Sequence, residues 1–98
     1  ASPAPVSPVV ANIDVKQLLE TARSAVRDNT METALQNYEA IVRGNVSLDV
    51  VVSDLGTLLK DETHKKNPAV YRILGDGLMR QGKLQDALDT YRKALNLL

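Results

Sequence analysis

The chain has no cysteine, no tryptophan and no phenylalanine, and its twelve basic side chains are balanced by twelve acidic ones to a formal net charge of zero. Without cysteine there is no disulfide framework and no thiolate metal site, and every redox compartment fits. Without net charge no global field draws nucleic acid or an anionic membrane to the chain. No apolar run exceeds four residues, so neither a membrane-spanning helix nor a signal-peptide core is expected. The first residue is Ala1 rather than methionine, which suits a processed product or a piece of a longer protein. A soluble chain is expected, cytoplasmic rather than secreted.

What is present is a small folded domain. The 98 residues are 44% apolar and 24% charged, and a chain of this size buries only ~60% of the surface that its unfolded form exposes. The core is therefore thin, and a large active-site cleft is not expected. Three of the four prolines, Pro3, Pro5 and Pro8, precede Asp14 among Ala, Ser and Val; residues 1–13 read as a flexible linker. From Asp14 onward the apolar period becomes helical. Val15, Leu18, Leu19, Ala22, Ala25 and Val26 define a helix over 15–28, with Asp14 and Gln17 spaced as a capping box. Met31, Ala34, Leu35, Tyr38, Ile41 and Val42 define a second over 31–43, with Thr30 as N-cap and a left-handed close at Gly44-Asn45. Leu48, Val51, Val52, Leu55, Leu58 and Leu59 define a third over 48–60 behind Ser47 as N-cap. The β-branched Val50-Val51-Val52 leaves a short strand as the alternative there. Lys60 to Asn67 has no large apolar side chain and reads as a solvated loop or a fraying helix end. Asn67 and Pro68 open a fourth helix over 68–81, burying Tyr71, Leu74, Leu78 and Met79. A fifth over 84–97 carries Leu84, Ala87, Leu88, Tyr91, Ala94, Leu95 and Leu98.

Helices one and two superpose on helices four and five at an offset of 53 residues. Ala22 falls on Gly75, Asn29 on Gly82, Ala34 on Ala87 and Tyr38 on Tyr91. Small residues at these positions let two antiparallel backbones approach, and the aromatic fills the space beside them. The segment Tyr71-Arg72-Ile73-Leu74-Gly75-Asp76-Gly77-Leu78, then Gly82, then Ala87-Leu88-Asp89-Thr90-Tyr91-Arg92-Lys93-Ala94, resembles the tetratricopeptide repeat. The first pair keeps its spacing with few identities. Val52 to Leu59 resembles a first helix, with Leu55-Gly56 as its Leu-Gly pair, but the polar stretch 60–67 stands where its partner helix belongs. The resemblance implies an all-α, five-helix, right-handed α-α superhelix-like array over residues 14–98.

The same resemblance implies a non-enzymatic scaffold or adaptor that holds a peptide or partner helix in a concave groove. Carried over by position, the groove residues are Lys16, Leu19, Arg23 and Arg27 on the first helix and Ala69, Arg72, Asp76 and Arg80 on the fourth, with Ser53 and Thr57 on the third if that helix joins the layer. The arginines would select an acidic partner; read without the resemblance, Arg72, Asp76 and Arg80 are an exposed ladder of ion pairs. The carboxylate-clamping variant of the family is not matched, because Leu19, Arg23 and Asp76 stand where its clamp residues belong. The alternative function is self-association, a homodimer through an uncapped last helix whose edge is Leu95, Leu97 and Leu98.

Other chemistry finds little support. His64 near Asp61 and Glu62 lacks a second imidazole and reads as solvated. Ser24, Ser47 and Ser53 have no paired base. Gly75-Asp76-Gly77 lies inside a helix and is too short to cradle phosphate. Arg23, Arg27, Arg43, Lys65 and Lys66 have interleaved acids and no aromatic platform for nucleic acid. No catalytic residue, cofactor, metal, nucleic-acid partner or membrane contact is expected.

Overall fold

The computed structural model describes residues 14–98, so the linker reading of residues 1–13 lies outside the described residues. Among the described residues the chain is all-α. Five helices follow one another: α1 (Val15–Arg27), α2 (Met31–Arg43), α3 (Leu48–Leu58), α4 (Pro68–Arg80) and α5 (Leu84–Asn96). The bounds agree with the apolar periodicity to within two residues, and the valine run lies inside α3 as helix. The chain divides into two compact units, Ala1–Val46 and Ser47–Leu98. Left-handed backbone at Asn45 (φ 58°) and Ser47 (φ 48°) flanks the division.

In the first unit, α1 packs on α2. The Asp14 carboxylate accepts the Gln17 amide at 3.1 Å and so satisfies one open donor of the first turn. Ala22, Ala25 and Ala34 are buried, and their small side chains let the two helices close on Leu35, Tyr38, Ile41 and Val42. Two local expectations differ. Thr30 makes no side-chain cap bond. At the end of α2 Gly44 stays right-handed, and Asn45 alone turns left-handed.

In the second unit, α3 packs on α4 and α4 on α5. Asn67 caps α4 by accepting the Ala69 amide at 3.0 Å, and Pro68 occupies the first turn, where no intrahelical donor is needed. The buried set is Val51, Leu55, Val70, Ile73, Leu74, Leu78 and Ala87. Four expectations are corrected here. Ser47 makes no side-chain cap bond and stands left-handed at φ 48°. Met79 is exposed and Tyr71 only half-buried, while Val70 and Ile73 take the fully buried positions of α4. Of the apolar positions on α5 only Ala87 is buried; Leu84, Leu88 and Leu95 are exposed. The stretch 60–67 is not a loose loop: Asp61 accepts the Thr63 amide at 2.8 Å, and the His64 and Lys65 amides donate to the Asp61 carbonyl. The Tyr71 hydroxyl donates to the Lys65 carbonyl at 3.0 Å and ties these turns to α4. Wound up in this way, the segment buries His64, which the sequence reading placed in solvent.

The 53-residue offset holds at the level of individual hydrogen bonds. α1 and α4 have equivalent bounds, as do α2 and α5. Both first helices end in the same motif, with left-handed Asn29 (φ 62°) answering Gly82 (φ 82°). The Thr30 amide donates to Ala25 and the Asn29 amide to Val26; equivalently, Lys83 donates to Leu78 and Gly82 to Met79. These two bonds satisfy carbonyls that the helix end would otherwise leave open.

Candidate functional site

The expected groove residues are divided between the units. Lys16, Arg23 and Arg27 are exposed on α1, and Leu19 is half-buried there. Ser53 and Thr57 are exposed on α3, where the Thr57 hydroxyl donates to the Ser53 carbonyl at 3.1 Å. On α4, Arg72 and Arg80 are exposed, and Arg72 approaches Asp76 at 4.0 Å. Asp76 has a second, structural engagement: it accepts the Tyr91 hydroxyl at 2.5 Å and so links α4 to α5.

Tyr91 is central to that contact. Its ring packs against Gly75, where a Cβ would stand 2.6 Å from Cε1 and 2.8 Å from Cδ1. Burial first, and then the Asp76 carboxylate, push the phenol up to about 12, while Arg72 and Arg80 act in the opposite direction. Gly75 is thus the close-approach residue of the second unit. Gly56 is not one: nothing lies within 4 Å of the Cβ it lacks, so the Leu55-Gly56 pair does not serve close packing in α3.

Beside Tyr91 a groove of about 450 Å³ opens between the start of α4 and the end of α5. Pro68, Ala69 and Arg72 form one wall, and Tyr91, Ala94, Leu95 and Leu98 the other. Its walls are almost wholly hydrocarbon. The groove unites two sets that the sequence reading kept apart: Ala69 and Arg72 from the expected binding surface, and Leu95 and Leu98 from the expected self-association edge. Leu97 is exposed but does not line it. Pro68, Tyr91 and Ala94 were assigned to capping or to the core, although the small residue at position 94 was a legible sign of space.

From the groove an apolar strip runs back along α5 through Leu88 and Leu84. Their repeat counterparts make the exposure informative. Leu35 is 8% exposed and its equivalent Leu88 46%; Val42 is 2% exposed and its equivalent Leu95 66%. The face that α2 buries, α5 leaves bare.

A second depression, in the first unit, is lined by Glu20, Ser24, Asp28, Thr30 and Thr33 among others. It is more polar than the α4–α5 groove and holds none of the expected binding residues. Among the described residues no three of His, Cys, Asp and Glu gather where they could hold a metal ion. No described helix is long and apolar enough to cross a membrane. No family model matches the chain, and neither a curated protein nor a solved structure matches it.

Proposed function

We propose that the chain is a non-enzymatic protein-interaction module of tetratricopeptide-like kind, and that it receives a helix or apolar segment of a protein partner on the face formed by α4 and α5. The observation that carries this reading is the apolar groove continuous with exposed leucines on a helix whose repeat counterpart buries the same positions. Removing such side chains from water is the main driving force of association, about 25 cal/mol for each Å² of apolar surface. A contiguous apolar face on a small domain marks a contact site.

Arg72 gives the site its polar selectivity. Its ion pair with Asp76 is long and solvent-exposed, and such pairs contribute ~0–1 kcal/mol. The guanidinium is itself exposed, so a carboxylate on the ligand can reach it alongside Asp76, and an acidic partner is favoured. Lys16, Leu19, Arg23 and Arg27 lie in the first unit, and the proposed α4–α5 site does not depend on them.

Selection from a displayed library of amphipathic helical peptides tests the reading. Binders should carry apolar residues at helical three- and four-residue spacing with an acidic flank. The double substitution Leu95→Asn/Leu98→Asn should weaken them at least ~10-fold, which is ~1.4 kcal/mol, and Arg72→Glu should weaken the acidic ones. A library that yields no binder, or binders indifferent to these substitutions, contradicts the proposal.

A further inference from the structure

We infer that Ala94 decides which side chain the α4–α5 groove accepts, and that the recess beside it takes one branched aliphatic side chain of the partner, leucine or isoleucine in kind. This rests on the reading of the α4–α5 face as a protein-contact surface.

The two helix pairs differ at the groove. At the offset of 53 residues Tyr91 falls on Tyr38 and Leu95 on Val42, so an aromatic and an aliphatic wall are kept. Two positions change in kind: Ala94 stands where the first pair has Ile41, and Arg72 where it has Leu19. Ile41 is 0% exposed and is one of the largest fully buried side chains. Alanine ends at the β carbon, so position 94 lacks the bulk that isoleucine buries at the same place in α2. Arg72 does not make up the loss. Its guanidinium is exposed and stands 4.0 Å from the Asp76 carboxylate, since a charged head stays in water even where its stem lies along the protein.

The recess is held open by its neighbours. The Tyr91 ring lies against Gly75, and its hydroxyl is bonded to Asp76. Pro68 occupies the first turn of α4 with its backbone locked by the ring. Surroundings that could relax would collapse on a small residue; here the space persists as the groove of about 450 Å³ that Ala69, Ala94 and Leu95 line. Hydrocarbon walls with no atoms on the open side forfeit dispersion contacts. An aliphatic side chain from a partner supplies them, as Ile41 does from within. A polar side chain would lose its water there and find no hydrogen-bond partner on those walls.

Ala94→Ile tests this with and without a ligand. Without one, the added side chain should settle in the recess and raise the urea unfolding midpoint, whereas Ile41→Ala, which empties the equivalent place, should lower it. With one, the probe is a helical peptide selected on the parent chain. Alanine scanning of that peptide should find one leucine or isoleucine whose removal weakens binding to the parent at least ~10-fold. Ala94→Ile should weaken the intact peptide at least ~10-fold, with Ala94→Val between it and the parent. On Ala94→Ile the same alanine change in the peptide should cost less than ~3-fold, so that the two substitutions couple in a double-mutant cycle. A merely structural role for Ala94 gives no coupling to one ligand side chain. A midpoint lowered by Ala94→Ile means that the recess is not free, and overturns the inference. Peptides that bind Ala94→Ile and Ala94→Val as well as the parent overturn it too, as does an anchor that is aromatic or polar. In those cases peptides that still lose affinity with Leu95→Asn/Leu98→Asn leave the interaction reading standing; a library that yields no binder removes both.

Discussion

The ring of Tyr91 lies over Gly75 so closely that no side chain fits between them. The ring cannot swing aside freely, because its hydroxyl is held by Asp76 on the same helix as the glycine. Gly75→Ala should therefore destabilise the protein by ~1–3 kcal/mol from overpacking, more than the helix gains from alanine. Gly56 sits in helix with open space above it, and Gly56→Ala should stabilise by ~1 kcal/mol. Urea unfolding midpoints of the two variants should move in opposite directions.

The two turns at Asn29 and Gly82 share a left-handed backbone but not a residue type. A side chain at Gly82 brings steric cost, so Gly82→Ala should lose ~1–2 kcal/mol. Asn29 tolerates the conformation through its short polar side chain, and Asn29→Gly should stay within about 0.5 kcal/mol of the parent. Thermal unfolding of both variants measures the difference.

Tyr91 makes stability depend on alkaline pH. Its phenol is held at about 12 in the folded chain, above the ordinary value of 10.0. Between those values the folded state keeps a proton that the unfolded state releases. The contribution is complete below pH 10 and is lost as pH rises toward 12. Urea unfolding at successive pH values should show this decline, and Tyr91→Phe should flatten it while lowering stability at neutral pH through loss of the Asp76 bond.

Helix starts in the second unit differ in what their first residue supplies. Asn67 donates no strain and accepts the Ala69 amide, so Asn67→Ala should cost ~1 kcal/mol. Ser47 makes no cap bond and sits at φ 48°. Ser47→Gly relieves that backbone and should raise the unfolding midpoint, where a serine acting as a cap would lower it.

The helices, the repeat and the two tying residues Gly75 and Tyr91 were legible because apolar periodicity and residue size act locally. Exposure was not. The periodicity that places Leu88 and Leu95 on one face of α5 is the same that places Leu35 and Val42 on α2; whether anything covers the face is a matter of tertiary neighbours, which spacing does not encode. Asp76 illustrates the same limit: in sequence it is one rung of an Arg72–Asp76–Arg80 ladder, and only the fold brings the Tyr91 hydroxyl to it. His64 looked solvated among charged neighbours because hydrogen bonds to Asp61, not hydrophobicity, wind its segment inward.

The central claim is that the chain meets other protein through the α4–α5 face. Methyl-resolved NMR of the leucine-labelled full chain, with a selected helical peptide added stepwise, tests it most directly. The account predicts shifts and broadening at the methyls of Leu84, Leu88, Leu95 and Leu98, with the buried Leu55 and the α1 residue Leu19 unmoved. Perturbation centred on Leu19, with the α5 leucines unchanged, would contradict it.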